Sequence, residues 1–480
     1  MKRVYLSEHN ADRACQATAI LALPSATESL SGLLTDPEMQ FLTSALARQV
    51  RQFFFPRPDQ TLFVRILEQG TDEADTLEIT RRAGAAFLAD MRTNQLSEVV
   101  IRTTHPEVPV LAFAEGLALG SYSFKKYRTK CEKESPELDY IGIDVPGVAP
   151  EAIRELDSLI EAVFITRDLV NEPHMHFNAI ALADAAREVA GNYGLNIEVL
   201  GKEEIEALGM GGLLAVNRAS SVPPFFCILE WKPETAVNPK PMVLVGKGVV
   251  YDTGGLSLKT AEGMETMKCD MAGAGAVLGA MAAAARNRLP VHVIGLIPAT
   301  DNMIGEKALA PGDIIQMYSG DTVEVVNTDA EGRIILADAL HYAKRYDPEL
   351  VLDVATLTGA AVRALGNQAI CYMGNASRHI KSMLEDSGWN TYERCVELPL
   401  WKEYGEELKS SMADLKNVGN GPAGMITAGK FLEYFANFPW LHLDIAGPAY
   451  LRSANAYRPK DGTGVGVRLL YNFLKQRAKD

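Results

Sequence analysis

Short apolar runs alternate with stretches in which apolar residues recur every three or four positions, and this alternation persists along nearly the whole chain. Extended runs at 17–23, 61–67 and 98–101 are separated by helical patterns at 41–54 and 81–96, which reads as a small α/β domain. Residues 113–124 read as a helix rich in small side chains. The stretch 128–150 is charged, carries Pro136, Pro146 and Pro150, and reads as a linker. Beyond it, Ile153, Leu156, Leu159, Ile160, Val163, Phe164 and Leu169 form a helical stripe closed by Pro173.

From residue 173 onward, strand candidates fall at 196–200, 225–231, 242–250, 291–297, 350–355 and 441–445, with helices at 272–286 and 333–345 between them. Several of these strands are continuously apolar, as expected where helices cover both faces of a sheet. The predicted fold is α/β with two domains. A smaller N-terminal α/β domain (1–147) and a linker helix (148–172) precede a larger α/β domain (173–480) with a mostly parallel central sheet. No internal repeat or low-complexity segment interrupts it.

Composition narrows the partners. At 47% apolar and 22% charged residues the chain reads as a soluble globular protein. Its formal charge of −14 argues against nucleic acid or an anionic membrane as the main partner of the whole surface. Six cysteines, including Cys131, are scattered and never form C-x-x-C, which points to reduced thiols and a cytoplasmic location. No run reaches membrane-spanning length. The mildly apolar segment 14–24 follows Glu8 and Asp12, so it reads as a first strand and not as a signal peptide.

Candidate chemistry begins at Asn327-Thr328-Asp329-Ala330-Glu331-Gly332-Arg333, where a β-branched run gives way to a helical pattern. On extended backbone, positions i and i+2 point to the same side, so Asp329 and Glu331 can converge on one cation. Acids are equally at home at a solvated helix N-terminus, and the stretch alone does not separate the two readings. A second cluster lies upstream: Lys247, Asp252 and Lys259 follow the apolar run that starts at Met242, and Asp270 heads a glycine- and alanine-rich helix. Lys247 precedes its glycines, so this is not a phosphate loop. Asp252, Asp270, Asp329 and Glu331 together outnumber the ligands one cation needs and suit a two-metal centre with bridging carboxylates. Only His292 lies between the clusters, and H-E-x-x-H is absent, which excludes a histidine-rich zinc site. His174 and His176 lack a completing ligand set and read as loop or packing residues. Asp353 and Asp444, inside apolar strands, read as structural partners of loop amides or lysines.

These residues resemble the leucyl aminopeptidase (cytosol aminopeptidase) family of dinuclear metallo-exopeptidases. The resemblance rests on the 327–333 stretch, on Val245-Gly246-Lys247-Gly248, Tyr251-Asp252-Thr253-Gly254-Gly255 and Met267-Lys268-Cys269-Asp270-Met271, and on the segments 353–360 and 442–447. It covers nearly all of the larger domain, and the N-terminal domain only through 114–116 and 122–127. The resemblance implies a catalytic domain at 173–480 and a macro-domain-like fold for the N-terminal domain. It implies two divalent metals (zinc, manganese or magnesium) per subunit, with Asp252 and Glu331 bridging, Asp329 completing the more exchangeable site, and Lys247 and Asp270 completing the tighter one. Lys259 would stabilise the oxyanion, and Arg333 would hold a bicarbonate acting as general base. Met267, Thr356, Gly359 and Ala446 would line the pocket for the first side chain, favouring Leu and other apolar residues. A homohexamer acting on peptides is implied as well. Thr253 where serine is commoner, the segment 305–313 and Glu172-Pro173-His174 depart from the family pattern without touching these positions. The competing readings are another two-metal hydrolase, such as a phosphoesterase, and a nucleic-acid-binding protein that kept the fold.

Overall fold

Two glycines split what the sequence reads as one strand at 242–250. In the computed structural model, which describes residues 3–10, 13–130 and 136–480, Met242–Gly246 and Gly248–Asp252 are separate strands with Lys247 between them. The break is a close-approach device. A Cβ on Gly246 would lie 2.7 Å from the Ala274 Cα, and one on Gly273 would lie 2.0 Å from the Val354 carbonyl oxygen. With no side chains in the way, the Lys247 carbonyl accepts from Ala274 N at 2.9 Å, and Lys247 N donates to Val354 O at 3.0 Å. The helix Ala272–Arg286 is thereby locked against the strand ends. It is buried at every position before Arg286, which its run of Ala and Gly allows.

The sheet that carries these strands has nine members. Its order is Cys395–Glu397, Ile370–Gly374, Trp440–Asp444, Leu350–Ala355, Met242–Gly246, Val293–Asn302, Phe225–Trp231 and Asn196–Leu200, with Gly248–Asp252 paired to Val293–Asn302. Its centre is parallel, and three pairings nearer the edges are antiparallel. Met242–Gly246, Val293–Asn302, Leu350–Ala355 and Trp440–Asp444 are buried throughout, as their largely apolar character predicts, and the polar residues within them, such as Asp353 and His442, are buried too. Because the central strands run in parallel, their carboxyl ends open together at Lys247, Thr356 and Ile445, the edge at which α/β sheets bind ligands.

The chain divides into two compact units, residues 1–161 with 453–459, and 162–452 with 460–480. The division falls inside the helix Pro150–Asn171. The smaller unit holds a six-stranded sheet, parallel except where Gln52–Pro56 runs antiparallel to Thr61–Ile66. The segment 453–459 is tied into it by the Tyr457 hydroxyl, which donates to Glu78 at 2.7 Å.

Several elements depart from the sequence reading. The helix predicted over 41–54 ends at Leu46, and Phe53 to Phe55 belong to the strand Gln52–Pro56, where Phe53 and Phe55 face inward. The predicted strand 291–297 runs on to Asn302. Cys131 and part of the expected 128–150 linker lie outside the described residues. Five cysteines are free thiols among those described, and no described helix is long and apolar enough to cross a membrane.

Candidate active site

The two charged clusters read from sequence meet in one cavity of about 510 Å³. Lys247, Asp252, Lys259, Asp270, Asp329 and Glu331 all line it, and so do the four pocket candidates Met267, Thr356, Gly359 and Ala446. Asp252, Asp329 and Glu331 each offer an oxygen, and these oxygens lie within 4.8 Å of one another. Asp270, also buried, lies on the 3-10 turn Met267–Met271.

Lys247 and Lys259 divide the acids between them. Lys247 Nζ is 2.7 Å from Asp270 and 2.9 Å from Glu331, and donates to the Thr356 carbonyl at 3.1 Å. Lys259 Nζ is 2.7 Å from Asp252 and also pairs with Asp329. The Thr356 hydroxyl adds a bond to Asp270 at 2.9 Å.

Electrostatics follow from this crowding. Burial raises the Asp252 carboxyl, Glu331 raises it further, and the lysines only partly offset this, so that it stands at about 7. Asp270 is likewise raised, first by burial. Burial would raise Glu331 too, but Lys247 and Lys259 outweigh it and hold Glu331 below the usual glutamate value. Burial disfavours the charged form of both lysines, yet the surrounding carboxylates prevail and raise their values. Four carboxylates, three of them buried, thus face two ammonium groups at the cavity. Such an excess of buried oxygen charge is what divalent cations neutralise, so the donor set fits them.

Loop hydrogen bonds hold the two clusters in register. Asn302, at the end of the longest buried strand, donates to Asp252 Oδ1 at 2.8 Å and to the Thr328 carbonyl at 3.0 Å. The Thr328 hydroxyl donates to the Gly254 carbonyl at 2.6 Å and accepts from Ser257 N. Gly254 and Gly255 have φ of +85° and +62°, the left-handed turn that puts Gly254 N on Asp252 Oδ1 at 2.8 Å. Asn417, wholly buried, bonds Val326 N, Asn327 N and Asn327 O. Neither Asn302 nor Asn417 was singled out from sequence. The available signal was weak: a polar residue closing a continuously apolar strand for Asn302, and none for Asn417.

Arg333 is placed differently from the other candidates. It is buried and is not among the residues lining the cavity. Its Nη1 donates to the Asn417 carbonyl at 2.8 Å, and its Nε has no partner among the described residues. Burial pushes its guanidinium down to about 10. Asp444 accepts from Leu357 N, Thr358 Oγ1 and Ala446 N, and Asp353 from Trp440 Nε1 and His442 Nδ1. Asp444 therefore partners loop amides as expected, whereas Asp353 is held by two ring N–H groups of the adjacent strand and not by loop amides or lysines. His174 stacks near Tyr251 with ring centroids 4.9 Å apart, and His292 pairs with Glu230. Neither histidine lines the cavity.

Comparison with known proteins shows the family of the chain. The profile of the cytosol aminopeptidase family, catalytic domain, matches residues 164–471. A probable cytosol aminopeptidase of Geobacter sulfurreducens is 46% identical over 415 residues, 85% of this chain and 83% of the relative. Among solved structures, the bottromycin maturation enzyme BotP in complex with Mn is 32% identical with a TM-score of 0.84, covering 97% of this chain and 100% of that one. A mutant of tomato leucine aminopeptidase is 29% identical with a TM-score of 0.85, covering 99% and 97%. The chain belongs to the cytosol aminopeptidase family and is a metal-dependent peptidase.

Proposed function

We propose that this enzyme removes the N-terminal residue of peptides, preferring Leu and other apolar residues, with two divalent ions held by Lys247, Asp252, Asp270, Asp329 and Glu331. The observation that carries the reading is the convergence of Asp252, Asp329 and Glu331 within 4.8 Å on a cavity that also holds both lysines. Manganese is supported by the relative solved with Mn, and zinc or magnesium suits the same oxygen-rich set. Bound, such ions supply Lewis acidity and a water acidified enough to attack a carbonyl.

The chain's own groups account for the rest. Lys247 ligates only as the free amine, and its partners Asp270 and Glu331 are themselves proposed ligands, so loss of its proton accompanies cation binding. Lys259, paired here with Asp252 and Asp329, would be free once those carboxylates hold cations to offer its ammonium to the oxyanion that develops at the scissile carbonyl. By the family resemblance Arg333, cationic and with a buried Nε that has no partner among the described residues, would hold a small oxyanion such as bicarbonate as general base, although the arginine itself does not line the cavity. Met267, Thr356, Gly359 and Ala446 offer methyl, methylene and thioether surface to the first side chain. A cytoplasmic homohexamer is part of the same reading, supported by the family resemblance and testable by light scattering.

The test is hydrolysis of leucyl anilide with Mn or Zn, with and without chelator, beside a phosphate ester. The anilide should be cleaved, chelator should abolish cleavage, and Glu331→Ala should abolish it while leaving the fold intact by circular dichroism. An untouched anilide, or cleavage surviving Glu331→Ala, overturns the proposal.

A further inference from the structure

The cavity has a buried floor and an exposed rim, and the charges differ between them. Asp252, Asp270, Glu331 and Lys247 form the floor. Thr260, Gly263, Gly359, Val362 and Arg452 are exposed and form the rim. Of the cations lining the cavity, Lys247 and Lys259 are committed to the floor acids at 2.7–2.9 Å. Among the described residues, Arg452 is the cation that lines the rim, and the exposed Arg363 lies just behind it at Gly359, where a Cβ would sit 3.3 Å from Arg363 Nη1. The nearest acids to Arg452 are Glu262 at 3.4 Å and Glu265 at 3.5 Å, outside the cavity wall. All three side chains are at least 65% exposed, and the distances are long for guanidinium–carboxylate pairs, so these contacts hold the arginine weakly.

We infer that Arg452 is a specificity-determining residue that reads a carboxylate on the leaving side of the scissile bond, which favours dipeptides with a free C-terminus over longer or blocked chains. This rests on the aminopeptidase reading above. Under that reading the α-amine and the scissile carbonyl occupy the floor, and the first side chain lies among Met267, Thr356, Gly359 and Ala446. Whatever follows the first residue must leave past the rim. A cavity of about 510 Å³ is of the size that encloses a small ligand, so the end of a dipeptide meets the rim, not bulk solvent. There the negative carboxylate meets Arg452, the rim cation that lines the cavity among the described residues, whose planar fork matches it two bonds at a time. Glu262 and Glu265 compete for the same fork and, by their charge, disfavour a carboxylate that does not displace them.

The experiment compares kcat/KM for Leu-Gly and Leu-Gly amide, which differ only in the terminal carboxylate, on the Mn-loaded wild type and on Arg452→Gln and Arg452→Glu. The wild type should favour the free acid. The acid-to-amide ratio should fall roughly five- to tenfold in Arg452→Gln through KM, and further in Arg452→Glu, and should shrink in wild type as salt rises. Glu262→Gln with Glu265→Gln should raise the ratio. A ratio unchanged by the Arg452 substitutions, including one where both substrates slow equally, overturns this inference and leaves the peptidase reading standing. If the wild type cleaves neither compound, the functional reading itself fails.

Discussion

Replacing Asn302 by alanine tests whether the metal cluster depends on a residue that is not itself a proposed ligand. Asn302 Nδ2 is a shared donor: it reaches Asp252 Oδ1 at 2.8 Å and the Thr328 carbonyl at 3.0 Å, and the residue is 5% exposed. Its loss leaves Asp252 Oδ1 with only the Gly254 amide and leaves the Thr328 carbonyl without this donor. A hydrogen bond to a charged group contributes about 1.5–3 kcal/mol and a neutral one about 0.5–1.5 kcal/mol. Only the first acts on the ligand oxygen itself, so the cost to cation affinity is the charged part. At about 1.4 kcal/mol per factor of ten, that is a ten- to hundredfold weaker affinity, the range seen when residues supporting metal ligands are removed. The assay is activity against leucyl anilide titrated with Mn from chelated enzyme. Half-saturation should move up by that factor, while activity at saturating Mn recovers to within a few-fold. Thermal unfolding of the chelated protein should also begin at lower temperature, since the neutral bond ties Thr328 to the strand end. An unchanged Mn midpoint would refute the argument that Asn302 holds Asp252 in its ligating position.

Two further outcomes follow from packing and burial. In Gly273→Ala the added Cβ would sit 2.0 Å from the Val354 carbonyl, so the helix must move from the strand ends and take the Lys247 backbone with it; overpacking of this kind costs about 1–3 kcal/mol, so both the unfolding temperature and peptidase activity should drop, and wild-type values for both would contradict the close-approach reading. Burial pushes Asp338 up to about 7, against the amides of Tyr318, Leu213 and Gly212. Because the folded value lies above the unfolded one, this group's stabilisation is full below pH about 4 and is lost as pH rises to about 7, up to about 4 kcal/mol in all. The stability advantage of wild type over Asp338→Asn should therefore shrink between pH 4 and pH 8, and a constant difference would refute the assignment.

Local pattern and local chemistry account for much of what was legible. The largely apolar character of the strands around 242–246, 350–355 and 440–444 foretold a sheet covered on both faces, because burial on both sides removes the alternation of apolar and polar positions. Lys247, Asp252, Asp270, Asp329 and Glu331 were named from glycine-flanked strand ends and family resemblance, and all five line the cavity. Phe53 to Phe55 misled because three consecutive apolar residues satisfy a helical period as well as a strand; the antiparallel ladder with Thr61–Ile66 decided it. Arg333, named beside the others, is buried off the cavity wall, which its place two residues after Glu331 did not foretell.

The sequence by itself determined the α/β class, the edge of the sheet at which the cavity opens, and the acids and lysines that line it, since each depends on residue type and on spacing within a few positions. The tertiary structure alone decided which lysine faces which acids, that Asn302 joins Asp252, 50 positions away, to Thr328, 26 positions away, and that Asn417 receives Arg333 from 84 positions upstream. It alone brought Arg452 to the rim. Those pairings are set by strand register and by how closely Gly246 and Gly273 let a helix approach, and neither quantity is written in any local stretch of the chain.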